Sequence, residues 1–182
     1  MTAPVRLFVA SWDGQAAKIG ARMADRLRGH GLSVAGATLP DARPEAADLR
    51  DAALLLVVAS VRYGRHKPAV GELLAAVSAL SPPPPLALVS VNLTARKPGK
   101  QSAEGNPYLR KLIHRHGLAP LQARAFAGKL DYPRYGWLDR QVIRLIMAIT
   151  GGPTDGVSIV DYTPWDEVDA FADQLSTLVP SR

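Results

Sequence analysis

The sequence contains no cysteine, and this absence excludes several kinds of chemistry. A chain without thiols has no disulfide, no thiolate nucleophile, no zinc finger and no iron–sulfur cluster of the usual protein-bound type. Any redox reaction that the protein performs must therefore use a bound cofactor.

Long apolar runs are also missing. The longest, near 52–59, is far too short to cross a bilayer. Arg6 and Asp13 interrupt the apolar stretch at the N-terminus, which therefore does not have the pattern of a signal peptide. We expect a cytoplasmic protein that is soluble or bound to a membrane surface.

Positive charge, by contrast, is in excess and unevenly distributed. The 182 residues carry a net charge of +6, and the segment 96–144 alone holds eleven Lys or Arg against three Asp or Glu. Such a segment favours an anionic partner, which could be nucleic acid, a membrane surface or a small substrate. Nucleic acid is the least favoured partner, because the basic residues lie in predicted loops and lack the motifs of a known nucleic-acid-binding domain.

Apolar strand patterns alternate with helical patterns along the chain. Five strands are predicted, at 5–10, 33–39, 52–60, 86–93 and 123–130, and helices near 16–29, 68–80, 107–117, 138–150 and 164–178, the last with Thr163 as N-cap. This alternation predicts an α/β fold, a single domain over 1–182 with a doubly wound parallel sheet in the order 2-1-3-4-5. The stretch of about 93–122 breaks the rhythm and is interpreted as an insertion near strands 4 and 5.

The first strand opens directly into a short polar loop and then a helix. Unpaired backbone N–H groups and the positive end of the helix dipole meet there, which suits a phosphate. The loop lacks the Lys of a P-loop and the three glycines of a dinucleotide fingerprint. We therefore predict a flavin mononucleotide, FMN, with its phosphate held by Ser11, Asp13, Gly14 and Gln15. Trp12 and Ala16 of the same segment are also predicted to contact the cofactor.

The loop after the third strand should meet the first, because the carboxyl ends of strands 1, 3 and 4 are neighbours in such a sheet. Its residues Ser60, Val61, Arg62, Tyr63 and Gly64 are predicted to frame the flavin ring. Tyr63 would stack on the ring or the substrate, and Arg62 would stabilise negative charge. The alternative is a plain turn with Tyr63 at the surface.

The loop after the fourth strand supplies the third candidate segment. Asn92 and Leu93 are predicted to contact the polar edge of the flavin. Arg96 and Lys97 are candidates for binding a phosphate, a propionate or a lipid headgroup, with a solvated basic loop as the alternative.

Aromatic residues concentrate after the fifth strand, at Tyr132, Arg134, Tyr135 and Trp137. They resemble a wall for a large flat ligand, an interfacial belt on a membrane, or a hydrophobic plug at the corner of the sheet. The helix that follows is apolar on most sides. Core packing is the preferred interpretation of this helix, and partial insertion into a membrane surface is the alternative.

The histidines do not predict a metal site. His114 and His116 are two residues apart on a predicted helix and therefore face different directions. His66 lies near the second loop, where it is either exposed or a proton shuttle.

Several segments together resemble one known family. They are Trp12–Gln15, Ala59–Gly64, Ser90–Pro98, Tyr132–Tyr135 with Trp137, Asp139 and Arg140, Leu145–Met147, Gly151-Gly152, and the pair Tyr162 and Trp165. On these segments the chain resembles, nearly end to end, the flavodoxin-like, quinone-dependent protoporphyrinogen IX dehydrogenases of bacterial haem synthesis. The elements 62–64 and 95–98 are specific, because electron-carrier flavodoxins lack them.

The resemblance implies a three-layer, flavodoxin-like sandwich with FMN as its cofactor. It implies oxidation of protoporphyrinogen IX to protoporphyrin IX, with electrons passed to a membrane quinone such as menaquinone. The protein would then lie peripherally on the inner face of the cell membrane, with the insertion in contact with the substrate or the anionic membrane surface. Formation of a homo-oligomer is left open.

Two rivals to this function are an electron-transfer flavodoxin and a flavin-free, flavodoxin-like binding module. The second is suggested by departures from the family pattern. Family members usually carry Arg where Trp12 stands and Thr where Ala16 stands, and a lost Thr hydroxyl removes a hydrogen bond worth about 1–2 kcal/mol. They often place His directly after Gly64, where this chain has Arg65.

Overall fold

Strands and helices alternate through residues 3–42 and 44–179, the part of the chain that the computed structural model describes. The strands are β1 Val5–Ala10, β2 Val34–Thr38, β3 Leu54–Ser60, β4 Leu86–Val91, β5 Gln122–Phe126, β6 Lys129–Asp131 and β7 Ile159–Asp161. The helices are α1 Gln15–Gly29, α2 Ala46–Arg50, α3 Pro68–Ser78, α4 Pro107–Arg115, α5 Trp137–Thr150 and α6 Trp165–Leu178. Leu93–Arg96 and Tyr132–Arg134 form short 3₁₀ turns.

Five strands form one parallel sheet in the order β2-β1-β3-β4-β5, which confirms the predicted topology. Val9 of β1 pairs with Thr38 on one side and Val58 on the other, and Ser60 of β3 pairs with Val91 of β4. Every residue of β3 and β4 is buried, because helices cover both faces of these central strands. The carboxyl ends of β1, β3 and β4 therefore lie side by side.

Two apolar cores separate the sheet from its helices and give the predicted three layers. On one face, α1 and α6 bury Ile19, Met23 and Phe171 against the sheet. On the other face, α2, α3 and α4 contribute a second core in which Leu74 and Leu109 are fully buried. The buried residues recur at helical spacing, so each helix packs one apolar face on the sheet, and this packing provides most of its stability.

Helix α1 approaches β1 very closely at Gly20. A Cβ atom at this position would lie 2.8 Å from Cγ2 of Val9, which is inside van der Waals contact. The helix ends before Gly31, whose φ is +79°, and the N–H of Leu32 donates to the carbonyl of Leu27 at 3.2 Å. This is the usual glycine stop of a helix.

The segment 123–130, predicted as one strand, is two strands in different sheets. β5 ends at Phe126, and the chain turns at Gly128 before it continues as β6, which pairs antiparallel with β7. The prediction of a single strand was wrong because Gly128 marks a corner, where a Cβ would lie 3.2 Å from Val91 Cγ1.

Thr163 does not cap α6, contrary to the prediction. Its hydroxyl donates to the carbonyl of Ala127 at 3.0 Å and accepts from Nε2 of Gln15 at 2.8 Å. The helix begins at Trp165 without a side-chain cap. The threonine instead joins α6 to the loop before α1.

Two excursions leave the strand–helix alternation. Residues 93–122 hold a 3₁₀ turn and α4, which closes the crossover from β4 to β5 with Leu109 buried. The second excursion follows β5 and consists of β6, α5 and β7 around a small core that includes Tyr132, Tyr135 and Met147. This second unit was not predicted as a separate element of the fold.

Most apolar side chains of α5 face outwards. Met147 is buried, whereas Leu138, Leu145 and Ile149 are 70%, 63% and 76% exposed. The interpretation of this helix as core is therefore wrong for its outer face. Among the described residues, no helix is long and apolar enough to cross a membrane.

Candidate functional site

A cleft opens where the carboxyl ends of β1, β3 and β4 meet. It is an open cleft, and its empty space of about 1090 Å³ includes open solvent. The three predicted loops converge on this cleft. The predicted residues that line it are Asp13, Gln15, Ser60, Val61, Arg62, Tyr63, Gly64, Asn92, Leu93, Arg134 and Tyr135.

The other predicted residues lie outside the lining of the cleft. They are Ser11, Trp12, Gly14 and Ala16 of the first loop, Arg96 and Lys97 of the third, and Tyr132 and Trp137 of the aromatic segment.

The loop after β1 is shaped by its own hydrogen bonds. Gly14, at φ +87°, precedes α1, and its N–H donates to Ser11 Oγ at 2.9 Å. The N–H of Trp12 donates to Ser60 Oγ at 2.9 Å, which ties this loop to the loop after β3. No side chain caps α1, so the N–H groups of its first turn remain for an anion.

Two residues of this loop can offer only their backbone. Gln15 Nε2 donates to Asp161 Oδ1 at 3.1 Å and to Thr163 Oγ1 at 2.8 Å, so its amide already has protein partners. Ala16 is fully buried in the core between α1 and the sheet. The prediction that Gln15 helps to hold a phosphate therefore depends on its backbone N–H group.

Tyr63 projects from a strained turn at the edge of the cleft. Its φ is +50°, a left-handed conformation that costs a non-glycine residue about 1–2 kcal/mol. Gly64 follows at φ +71°, and the turn is closed by reciprocal backbone bonds between Arg62 and Arg65 of 2.9 and 3.0 Å. The ring of Tyr63 is 56% exposed, so it is available for stacking on a flat ligand.

Arg62 joins the loop after β3 to helix α5. Its guanidinium forms an ion pair with Asp139 and lies 3.8 Å from Asp13 Oδ1. It also lies over the rings of Trp12, at 5.9 Å, and Tyr63, at 5.7 Å. This positive charge is largely neutralised in the structure, so a ligand must compete with two carboxylates to use it.

The side chain of Asn92 faces the protein rather than the cleft. Asn92 is 4% exposed; its Oδ1 accepts from the N–H of Ala95 at 3.1 Å and its Nδ2 donates to Ser90 Oγ at 3.0 Å. The Asn92 amide is therefore already engaged by protein partners. Residues 92–94 line the cleft, and the contact of Asn92 and the nearby backbone with the flavin stays a prediction.

Arg96 and Tyr132 also have structural partners. Arg96 donates to the carbonyl of Thr150 at 2.7 Å, where it stabilises the C-terminus of α5. Tyr132 is fully buried, and its hydroxyl donates to the carbonyl of Pro153 at 2.6 Å. Neither is placed to bind a propionate or to form an aromatic wall, because both hold the second excursion together.

The remaining candidates of that segment stay near the surface or the cleft. Tyr135 lines the cleft, and burial raises the pKa of its hydroxyl. Arg134 donates to the carbonyl of Asp13 at 3.1 Å and thereby connects the second excursion with the loop after β1. Trp137 is 72% exposed at the start of α5, and Lys97 is partly exposed outside the cleft.

Comparison with known proteins places the chain in a family. A family model described as a flavodoxin domain matches residues 7–156. Protoporphyrinogen IX dehydrogenase (quinone) of Escherichia coli strain K12 is 36% identical over 172 residues, 94% of each chain. The Leishmania major protein of the same name is 40% identical over 141 residues, which are 74% of this chain and 59% of that protein.

The chain belongs to this family of flavodoxin domains. Membership indicates that it binds a flavin. Solved flavodoxins share the fold: that of Streptococcus pneumoniae TIGR4 superposes with a TM-score of 0.57 at 14% identity, covering 96% of this chain and 99% of that one.

The site of this flavodoxin-family chain has a wall that the sequence reasoning missed. Val142, Ile143 and Ile146 of α5 line the cleft opposite the loop of Tyr63, and Tyr108 of α4 lines it as well. The all-round apolar pattern of α5 was the available signal. Val142 and Ile146 are 42% and 43% exposed, so the stripe of α5 that lines the cleft lies directly beside the stripe that faces solvent.

Proposed function

We propose that the protein is an FMN-dependent protoporphyrinogen IX dehydrogenase that passes electrons to a membrane quinone. The main observation behind this proposal is a cleft at the switch point of the sheet, where the three predicted loops meet and apolar side chains of α5 form part of the lining. The names of the relatives at 36% and 40% identity supply the reaction. An electron-carrier flavodoxin has no need of such a wall, because it binds no organic substrate beside its flavin.

FMN fits the residues that are present. The first turn of α1 leaves backbone N–H groups for its phosphate, and a Cβ at Gly14 would meet nothing within 4 Å, so this approach is open. Tyr63 and the backbone of 92–94 would hold the ring. When bound, FMN accepts the hydride equivalents of the oxidation, and the chain's own residues orient the ring and shield it from water.

The substrate matches the cleft in shape and charge. Protoporphyrinogen IX is a large, mostly apolar macrocycle with two propionates, so it needs an apolar wall and cations at the rim. Val142, Ile143 and Ile146 supply the wall, while Lys18 and Arg134 bring positive charge to the same cleft. The side chains bind and orient the macrocycle, and no residue is assigned as a catalytic base.

An anionic membrane surface is the proposed partner of the outer face of α5. The second excursion, β6 to β7, carries exposed large apolar side chains that include Trp137, Leu138, Leu145 and Ile149 of α5, and Val157 and Ile159 at β7. Arg134, Arg140 and Arg144 come from the same excursion, a pairing of apolar and basic groups that suits anionic lipids. A protein docked this way lies on the cytoplasmic face of the membrane, next to its quinone.

Vesicle co-sedimentation tests this membrane contact. We expect binding to vesicles with anionic lipid, weakened by Leu145→Glu with Ile149→Glu and by high salt, and unchanged by Leu121→Glu. Leu121 is a matched control because it is 52% exposed next to β5, outside the second excursion. Binding that survives the double substitution would contradict the proposal, and a change from dimer to monomer in that variant would instead assign the face to a second copy of the chain.

Formation of protoporphyrin tests the activity. The FMN-loaded protein should convert protoporphyrinogen IX to fluorescent protoporphyrin IX under anaerobic conditions when menaquinone is supplied, and not without it. A protein that binds FMN but forms no protoporphyrin would be an electron carrier. A protein without flavin absorbance after loading would be the flavin-free binding module.

A further inference from the structure

A chain of hydrogen-bonded side chains connects the segments that line the cleft. Asn106 precedes α4, Asn92 follows β4, Ser90 lies within β4, and His66 follows the loop after β3. Ser90, Asn92 and Asn106 are 1%, 4% and 0% exposed, so water cannot easily replace a missing partner. Ser90, Asn92 and Asn106 must therefore find their donors and acceptors within the protein, whereas His66 is partly exposed.

Backbone partners fix the orientation of the Asn106 amide. Its Oδ1 accepts from the N–H groups of Tyr108 and Leu109, each at 3.2 Å, as the N-cap of α4. Its Nδ2 donates to the carbonyl of Lys100 at 3.0 Å. The same nitrogen therefore donates to Asn92 Oδ1 at 3.1 Å, and Asn92 Nδ2 donates back to Asn106 Oδ1 at 3.4 Å, so the two amides are joined by a reciprocal pair of bonds.

The direction continues through Asn92 to Ser90. Asn92 Oδ1 also accepts from the N–H of Ala95, so the other amide atom, Nδ2, is the donor to Ser90 Oγ at 3.0 Å. The serine oxygen accepts this bond, and its own hydrogen needs an acceptor. His66 Nε2 lies 3.0 Å away and can take it.

A bond from Ser90 to Nε2 determines the state of His66. A nitrogen that accepts a hydrogen bond carries no proton, so donation from Ser90 to Nε2 predicts a neutral ring with its hydrogen on Nδ1. The low pKa of His66, about 4 because of burial, agrees with a ring that stays neutral.

We propose that the directed chain from Asn106 through Asn92 and Ser90 to His66 is a positioning network for the flavin ring. The network holds the loop 60–64 next to residues 92–94. Because Asn106 is the N-cap of α4, the network also holds Tyr108 in place. The loop, residues 92–94 and Tyr108 all line the cleft. The expected effect of this network on FMN binding rests on the proposed function, whereas the direction of its hydrogen bonds can be measured on the protein without flavin.

Nitrogen-15 NMR of histidine-labelled protein without flavin tests the direction. The His66 ring, assigned by the loss of its signals in His66→Gln, should show Nε2 unprotonated and Nδ1 protonated at pH 7. In Ser90→Ala this preference for one tautomer should be lost. A protonated Nε2 in the unsubstituted protein would overturn the chain, because Ser90 would then have no acceptor for its hydrogen.

Flavin binding tests the positioning role. Ser90→Ala should weaken FMN binding about tenfold, the effect of one lost hydrogen bond beside an orphaned buried donor, and should shift the flavin's reduction potential. Ser78→Ala is the matched control, since Ser78 is an exposed serine that bonds only within α3. Wild-type affinity and potential in a folded Ser90→Ala would refute the role.

A second variant covers the case in which Ser90→Ala does not fold. Asn106→Ser keeps an N-cap for α4 but is too short to reach Asn92, so it should weaken FMN binding while α4 remains formed. Unchanged FMN affinity and potential in this variant would also refute the role. If the unsubstituted protein binds no FMN, the proposed function and the flavin role both fail, and the NMR result still decides the direction of the bonds.

Discussion

Acid should destabilise this protein through His66 before its carboxylates titrate. Burial lowers the pKa of His66 to about 4 in the folded state, whereas a histidine in an unfolded chain has a pKa of about 6.5. Between these values the unfolded chain takes up a proton that the folded chain refuses. Stability should therefore fall as the pH drops below about 6.5, with the loss complete near pH 4.

The size of this effect follows from the two pKa values. A difference of about 2.5 units, at about 1.4 kcal/mol per unit, gives an upper limit of about 3.5 kcal/mol. His116 contributes in the same direction, because burial also lowers its pKa. The carboxyls of Asp169 and Asp173 have pKa values lowered by hydrogen bonds to arginines, so their stabilising effect is lost only at lower pH.

Urea unfolding at a series of pH values between 7 and 4.5 measures the effect. The free energy of unfolding of the unsubstituted protein should fall more steeply than that of His66→Gln, which has no proton to take up at this position. Parallel curves for the two proteins would refute the reasoning, because they would mean that the pKa of His66 is the same in the folded and unfolded states.

Three further substitutions have defined outcomes. Gly20→Ala should lower the free energy of unfolding by about 1–2 kcal/mol, because the gain in helix propensity is smaller than the cost of a Cβ only 2.8 Å from a side chain of β1. Gly29→Ala should be neutral or stabilising, because its Cβ would meet nothing within 4 Å. Denaturant titration of the two variants compares these effects. Tyr63→Gly should change the free energy of unfolding by no more than about 1 kcal/mol, because relief of the strained positive φ is offset by the larger entropy that a glycine loses on folding. The same substitution should weaken FMN binding about tenfold in a fluorescence titration, because the stacking ring is gone. Asp139→Asn in a double-mutant cycle with Arg62→Gln should give a coupling free energy of about 1–2 kcal/mol, and a value near zero would mean that the pair does not hold α5.

The sheet was predictable because its signals are local and repeated. Apolar runs fixed β1, β3 and β4, and their alternation with helices fixed the strand order and hence the edge where the loops of Ser60 and Asn92 meet. The corner at Gly128 was not predictable, because a three-residue strand such as β6 forms only where β7 pairs with it.

Side-chain roles in the site were harder to predict than their positions. Asn92 and Arg96 lie in the segments that the sequence indicated, but their partners, Ser90 and Thr150, depend on tertiary contacts. Helix α5 shows the same limit: an all-round apolar pattern is typical of a core helix, and only the structure separates its cleft-facing side from its exposed side.

Anaerobic mixing of the FMN-loaded protein with protoporphyrinogen IX tests the central claim most directly. Stopped-flow absorbance should show the flavin band bleach on mixing and return when menaquinone is added. A bound flavin whose band stays unchanged with the macrocycle in excess would contradict the claim that this cleft brings the two together.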